Sequence, residues 1–487
     1  MKISINDIIK YTEGKVCCNT GVLDGRQSYV TSISSNSREI TAGALFLAIK
    51  GERVDGHTFL ESAFENGAVA ALVTEDIDED RIKAGCVCIK VNEIIPAIQK
   101  LAAWYRRTFD IPVVAISGSV GKTTTKEMIA AALGGGKKVF KTEGNMNSQL
   151  GVALMMLRLT EDYDIAVIEM GISEPDEMNK LSYVAMPEMA VVTNIGVSHI
   201  AQLGSRENIR KEKLDIISGF KDRKGTLLVP GNDTLLNADD AFCGEALSEA
   251  AFEVMKNTEC IRFGEDEKCA YRAVDIHNEG DGVVFTALLP DGSRKNVTLS
   301  VLGKHNVYNA LAALAICDRY NVNIEDAIKG LESYKPIAMR GQIYENKGIT
   351  IIDDTYNASP DSMKSGLSVL WEKECAGKRI AVLADVLELG EASEALHREI
   401  GAYIAGKYNE GTKTDILYTV GAGASYIAEE AKKNIEGENA GIIIDAFETK
   451  EDMIPCLKEK LVSGDLVMLK GSRGMQMDKV CEVLKNM

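Results

Sequence analysis

The stretch Val113-Val-Ala-Ile-Ser-Gly-Ser-Val-Gly-Lys-Thr-Thr-Thr-Lys126 decides the reading of this chain. An apolar run, a glycine-rich turn and a helix start follow one another without a gap, the order of strand, loop and helix that cradles phosphate. Glycines let backbone N–H groups turn inward on phosphate oxygens, and the helix N-terminus adds a fixed positive end. Gly118, Ser119, Gly121, Lys122, Thr123 and Thr124 are therefore the expected nucleotide-phosphate residues, with Lys122 a mobile cation and Thr123 offering a hydroxyl to Mg²⁺. The strict GxxxxGK[ST] pattern is not met, because Ile116 stands five residues before Gly121 and the first glycine is Gly118. A shorter, tighter loop is predicted. The bland alternative is a glycine turn that happens to precede a lysine. The helical pattern Met128, Ile129, Ala132 and Leu133 argues against it.

Outward from this loop, buried-strand runs recur at Ile165-Ala-Val-Ile168, Ala190-Val-Val-Thr193 and Thr226-Leu-Leu-Val229, with helical stretches between them. Strands alternating with helices predict parallel pairing and helices on the sheet faces. Between 270 and 302 the pattern changes to strands joined by Asp281-Gly282 and Asp291-Gly292, which predicts an antiparallel hairpin set. From 340 the strand–helix rhythm restarts at Ile349–Ile352, Ile380–Leu383, Ile416–Val420, Gly441–Ile444 and Leu466–Leu469, as in a doubly wound sheet. Before the loop, Ala44–Ile49, Val69–Val73 and Cys86–Val91 alternate with helical patterns and end in a helix around Leu101 to Phe109. A chain of 487 residues exceeds what one core spans. The fold class predicted is α/β in three domains: a small α/β domain at 1–110, a central phosphate-loop domain at 111–337 and a doubly wound, Rossmann-like domain at 338–487.

A net charge of −17 argues against nucleic acid and anionic membranes as partners, since a surface that tracks phosphates needs clustered Lys and Arg. The 11 cysteines lack the paired spacing of a zinc site and read as reduced core residues. Nothing near Met1 has the shape of a signal peptide, and no apolar run approaches the roughly 20 residues that span a bilayer. A cytoplasmic monomer is expected.

Polar residues at strand ends carry the remaining chemistry. Glu169, after Ile165–Ile168, stands where an open parallel sheet places its ligand crevice, and His199, in Thr193-Asn-Ile-Gly-Val-Ser-His199, follows another strand end. Together they are candidate ligands of a second Mg²⁺; the bland readings are a solvated glutamate and a structural histidine. Asn145 and Asn147, in Gly144-Asn-Met-Asn-Ser-Gln149, are candidates to bind substrate or nucleotide, or simply turn residues. The run Arg206-Glu-Asn-Ile-Arg-Lys-Glu-Lys213 reads on its own as a solvated helix face.

In this order, GSVGKTTTKEM, EMGIS, TNIGVSHI, GKHNVYN, DDTYNASPDSM, LADVLELGEASEALHREIG and LKGSRGMQM resemble the Mur ligase family over nearly the whole chain. The resemblance implies ATP-driven amide formation in peptidoglycan precursor synthesis, with ATP and Mg²⁺ required. The last three strings look most like the branch that joins D-alanyl-D-alanine to a UDP-N-acetylmuramoyl-tripeptide. It further implies Lys122 at the ATP phosphates, Thr123 at one Mg²⁺, Glu169 and His199 at a second, and Asn306 and Asn309 near the adenine with His305 close by. Lys213 matches a position that several members carbamylate, making it an anionic Mg²⁺ ligand, and Arg340 matches an arginine that reaches the nucleotide after domain closure. Ser35, Asn36 and Arg38 match the segment that reads the UDP part of the substrate, although Asn36 stands where aspartate is common. Asp353, Asn357 and Ser472 fall in the segments that receive the dipeptide. Another Mur-type or folylpolyglutamate-type ligase is the alternative within the class. A nucleotide switch without ligation is the alternative outside it, weakened by the lack of a guanine-reading Asn-Lys-x-Asp.

Overall fold

The structure is a computed structural model that describes residues 1–21, 28–78, 80, 82–238, 240–435 and 441–487. Three separate main sheets account for it. Near the N-terminus, the strands order as Lys15–Asn19, Val87–Lys90, Ala68–Val73, Ala44–Leu47 and Ser32–Ser34, the first antiparallel to its neighbour and the others parallel. A two-stranded ribbon, Ile3–Ser4 with Tyr29–Val30, lies beside them.

The central sheet has nine strands. Seven run parallel in the order Val139–Lys141, Ile165–Glu169, Val113–Ser117, Met189–Val192, Gly225–Pro230, Thr258–Gly264 and Tyr271–Glu279. Gly282–Leu288 and Arg294–Leu299 then close the edge antiparallel. Every residue of Val113–Ser117 is buried, as a strand covered by helices on both faces requires. The chain leaves this strand toward one side of the sheet and later returns to the other, so a crevice opens at its carboxyl end. Thr258–Gly264 was not among the expected strands, because its polar and apolar residues alternate and form no continuous run.

The third sheet orders as Gln342–Asn346, Ile349–Asp354, Leu466–Lys470, Arg379–Ala384, Ile416–Val420 and Ile443–Phe447, parallel except for the first strand. The last strand starts two residues later than the run Gly441–Ile444 suggested.

One apolar core runs without interruption from the N-terminal sheet to one face of the central sheet. The helix Ile94–Arg106 joins them by packing against Gln149–Arg158 and Met178–Ala185. At its end, buried Arg106 donates to the carbonyls of Ala185 at 2.9 Å, Phe109 at 2.9 Å and Ile111 at 2.6 Å. The C-terminal domain has its own two cores, one on each sheet face. No helix among the described residues is long and apolar enough to cross a membrane.

Candidate active site

The glycine-rich loop is held in shape by the segment after Met189–Val192. Asn194 Oδ1 accepts the N–H groups of Ser119 at 3.1 Å and Val120 at 2.9 Å, and Ser119 Oγ accepts Gly196 N–H at 2.9 Å. Gly118 has φ +146°, and a Cβ there would lie 1.8 Å from Thr193 Oγ1, so no other residue fits. Gly121, at φ +86°, precedes the helix Lys122–Leu133. That helix start is a preformed anion site. Lys122 is half-buried and its Nζ donates to Gly118 O at 2.8 Å, folded over the loop it serves. Burial lowers its pKa, as does the charge of Arg340, while Glu169 opposes the shift.

Glu169 is the last residue of its strand, in register with Ile116, and is 2 % exposed. Its Oε1 accepts Thr123 Oγ1 at 3.1 Å and Asn147 Nδ2 at 2.8 Å. Its Oε2 has no hydrogen-bond partner and lies 3.7 Å from the buried Lys126 ammonium, which donates instead to Thr142 O at 2.8 Å. A buried carboxylate oxygen with no donor, beside a hydroxyl and at a phosphate loop, is the chemistry of a hard-cation site. Mg²⁺ fits this donor set.

These groups line one wall of a cleft of about 1070 Å³, whose other wall belongs to the C-terminal domain. Asn145, Asn147, His199, His305, Asn306, Asn309, Arg340 and Asn357 line it as well. Asn309 Oδ1 accepts Thr125 Oγ1 at 2.9 Å and its Nδ2 donates to Asn306 Oδ1 at 3.1 Å, tying the helix Lys304–Arg319 to the phosphate-loop helix. Arg340 stacks over the Tyr356 ring at 4.0 Å, between two left-handed residues, Met339 and Gly341. Across the cleft, buried Lys470 pairs with Asp354 at 2.5 Å and donates to Asn357 O at 3.2 Å.

The two walls touch at the segment that also holds the phosphate loop. Asp361 Oδ2 would lie 2.2 Å from a Cβ at Gly196, an approach only glycine allows. Burial raises the Asp361 carboxyl pKa, opposed by Lys364, Arg206 and the Val197 amide. His199 Nδ1 meets Glu388 Oε2 at 3.1 Å. Burial lowers the imidazole pKa and Glu388 opposes it, while Lys213 and Lys122 push the same way as burial.

Lys213 lies outside the cleft lining, 2 % exposed in the helix Arg206–Leu214. Its neighbour Glu212 already accepts the N–H groups of Asp176 at 2.9 Å, Glu177 at 2.8 Å and Met178 at 2.8 Å. No hydrogen bond or ion pair joins Lys213 to any group among the described residues. Burial, then the charge of Lys122, press its pKa well below the usual lysine range, with Glu212 opposing. The charge run is thus no solvated face at this residue.

Other expected residues are not brought to this cleft. Ser35, Asn36 and Arg38 are exposed on the N-terminal domain, where Asn36 Oδ1 caps the short turn Ser37–Glu39. Asp353 is buried on the far face of its sheet, accepting Thr355 Oγ1 at 2.6 Å with Lys485 3.6 Å away. Ser472, also buried, accepts Leu387 N–H at 2.9 Å. In their place stand Asp354, Lys470 and Glu388. Period-two alternation identifies the first: Ile352 faces the cleft, so Asp354 shares its face and Asp353 does not.

Three family models match the chain: Mur ligase family, catalytic domain, over residues 29–113; Mur ligase middle domain, over 116–317; and Mur ligase, glutamate ligase domain, over 339–473. The UDP-N-acetylmuramoyl-tripeptide--D-alanyl-D-alanine ligase of Bacillus subtilis (strain 168) is 36% identical over 459 residues, covering 94% of each chain. A crystal structure of MurF from Acinetobacter baumannii has a TM-score of 0.86 at 29% identity, covering 100% of this chain and 99% of that one. MurF ligase from Thermotoga maritima in complex with ADP has a TM-score of 0.78 at 28% identity, covering 94% of this chain and 97% of that one. With the phosphate loop, the orphaned carboxylate and the two-walled cleft all in place, the chain belongs to the Mur ligase family.

Proposed function

We propose that this chain is an ATP-dependent ligase joining D-alanyl-D-alanine to UDP-N-acetylmuramoyl-tripeptide in cytoplasmic peptidoglycan precursor synthesis, releasing ADP and phosphate. One observation carries the reading: a phosphate loop faces, across a single cleft, a second domain with charged groups for an acceptor. Joining a carboxylate to an amine in water is uphill, so the tripeptide carboxylate first takes the γ-phosphoryl group and becomes an acyl phosphate. That attack brings an anion to an anion. Lys122, the loop N–H groups and Arg340 neutralise the charge as it accumulates. Two Mg²⁺ would add positive charge at the phosphates, Thr123 holding one and Glu169, His199 and a carbamylated Lys213 the second.

The dipeptide amine then attacks the acyl carbon, forming the amide bond and expelling phosphate. A terminal amine with a pKa of roughly 7.7 to 8.0 supplies its neutral form readily near neutrality. Because an acyl phosphate also hydrolyses, the C-terminal wall serves a second purpose, excluding water. Ser35, Asn36 and Arg38 are assigned to the UDP group, which leaves Asn145 and Asn147 for the peptide end. Asn306 and Asn309 are assigned to the adenine side, and Asn357 to the dipeptide.

The test is phosphate release in the presence of ATP, UDP-tripeptide and dipeptide. Release should require both acceptor and donor, with D-alanyl-D-alanine preferred over single amino acids and over glutamate on a folate. Release that is equally fast without the dipeptide, or with glutamate and a folate, would overturn the assignment.

The carbamate has its own test. Burial lowers the Lys213 pKa and so favours the free amine, a nucleophile for CO₂: its nitrogen bonds the carbon, one proton leaves, and an anionic ligand results. Carbon-13 bicarbonate should give a carbamate resonance in the wild type that Lys213→Ala abolishes. A spectrum without that resonance removes Lys213 from the metal site.

A further inference from the structure

Three strand ends stand side by side at the crevice. In the order Val139–Lys141, Ile165–Glu169, Val113–Ser117, the strand that ends at Glu169 lies between the other two. Its carboxylate is therefore flanked by the phosphate loop on one side and by the loop Gly144–Ser148 on the other. Each flank supplies one donor to the same oxygen: Thr123 Oγ1 at 3.1 Å and Asn147 Nδ2 at 2.8 Å both donate to Glu169 Oε1.

The two donors are unequal. A hydroxyl hydrogen rotates to suit its partners, whereas the Asn147 amide is held in place. The Asn147 carbonyl accepts Gly171 N–H at 2.8 Å, and its own N–H donates to Asn145 O at 2.8 Å. The next residue, Ser148, caps the helix Gln149–Arg158, its Oγ accepting Gly151 N–H at 3.2 Å. A Cβ at Gly171 would lie 3.1 Å from Asn147 Cγ and 3.2 Å from both Nδ2 and Oδ1, which puts that point over the face of the amide. Any side chain at 171 would press on that face, so glycine is what lets the loop close on the strand end. An ionised carboxylate only accepts, so the amide must turn an N–H toward Glu169. Oδ1 and the second amide hydrogen are left for the peptide end.

Glu169 needs a fixed partner. The terminal torsion of a glutamate is broad, and a carboxylate held by one hydroxyl turns about it. Oε2 has no donor of its own, and the Lys126 ammonium, 3.7 Å away, is engaged by Thr142 O and Glu127. Fixing Oε1 therefore fixes Oε2 as well.

We propose that Asn147 is a positioning residue for Glu169: its amide sets the plane of the carboxylate, so that the second Mg²⁺ meets an oriented ligand. The proposal rests on the reading of Glu169 as a ligand of that ion. Its consequence is that the loop Gly144–Ser148, assigned to the peptide end of the substrate, also holds a wall of the metal site.

Mn²⁺ titration of the full chain, followed by electron paramagnetic resonance with a non-hydrolysable ATP analogue present, tests it. The wild type should bind two Mn²⁺. Asn147→Ala and Asn147→Leu differ in volume and share the loss of the amide. Both should weaken the second Mn²⁺ by about 10- to 100-fold and leave the first, at Thr123, unchanged, with the melting temperature of wild type. A loss in only one of the two, or one that comes with a lowered melting temperature, would make Asn147 a structural residue and overturn the proposal. Wild-type affinity in both, with the second Mn²⁺ lost in Glu169→Gln, would overturn the positioning role alone. A second Mn²⁺ retained in Glu169→Gln would overturn the metal reading together with the proposal built on it.

Discussion

Lys122→Ala should abolish phosphate release, by about 10³-fold or more, while the far-ultraviolet circular dichroism spectrum and melting temperature stay at wild type. Removing one fixed donor to developing charge costs roughly 10² to 10³ in rate, and a lysine at the phosphates removes a full charge as well. The fold survives because Lys122 is half-buried and its ammonium bonds only Gly118 O, a loop carbonyl that water can reach in its place. Circular dichroism lost together with activity would make Lys122 a structural residue and remove it from catalysis.

For Glu169→Gln the expected result is a fall of about 10²- to 10³-fold in rate with a raised Mg²⁺ requirement. The substitution keeps the volume and removes the charge, and it leaves an amide where a buried carboxylate oxygen stood without a hydrogen-bond partner. Lys126 keeps its bond to Thr142 O and its pairing with Glu127 at 3.0 Å, so no bare buried cation results. Rate and melting curve, each measured across a Mg²⁺ titration, separate the two roles. An unchanged Mg²⁺ dependence would sink the metal assignment.

Local order made the phosphate loop legible. Strand, glycines, lysine and helix are contiguous, so one stretch of sequence contains the whole device. Glu169 and His199 were legible for a related reason, since each follows a buried run whose carboxyl end points to the crevice. The C-terminal wall was harder to read. Asp353 and Asp354 are neighbours of one chemical type, and only the alternation of the strand tells which faces the cleft. Ser472 sits in a motif-like string, yet its hydroxyl holds the loop of Glu388. Thr258–Gly264 escaped because a half-buried strand has no continuous apolar run. Contacts between domains, such as Asp361 with Gly196, join residues far apart in sequence, and no periodicity encodes them.

Arg106 gives the molecule its mechanics. Its guanidinium binds carbonyls on both sides of the boundary between the first two sheets, and removing it would leave three of them unpaired, at about 1–3 kcal/mol for each that is buried. With a continuous core beneath it, that boundary is a weld. The other boundary is crossed by a short connection carrying Met339, Arg340 and Gly341, by contacts between charged side chains, and by Leu302 and Ile200, which pack into the C-terminal core. The first two sheets thus share one core, and the third meets them across the cleft. The groups proposed for nucleotide and UDP-peptide therefore stand on one continuous core, and those proposed for the dipeptide stand on the wall opposite.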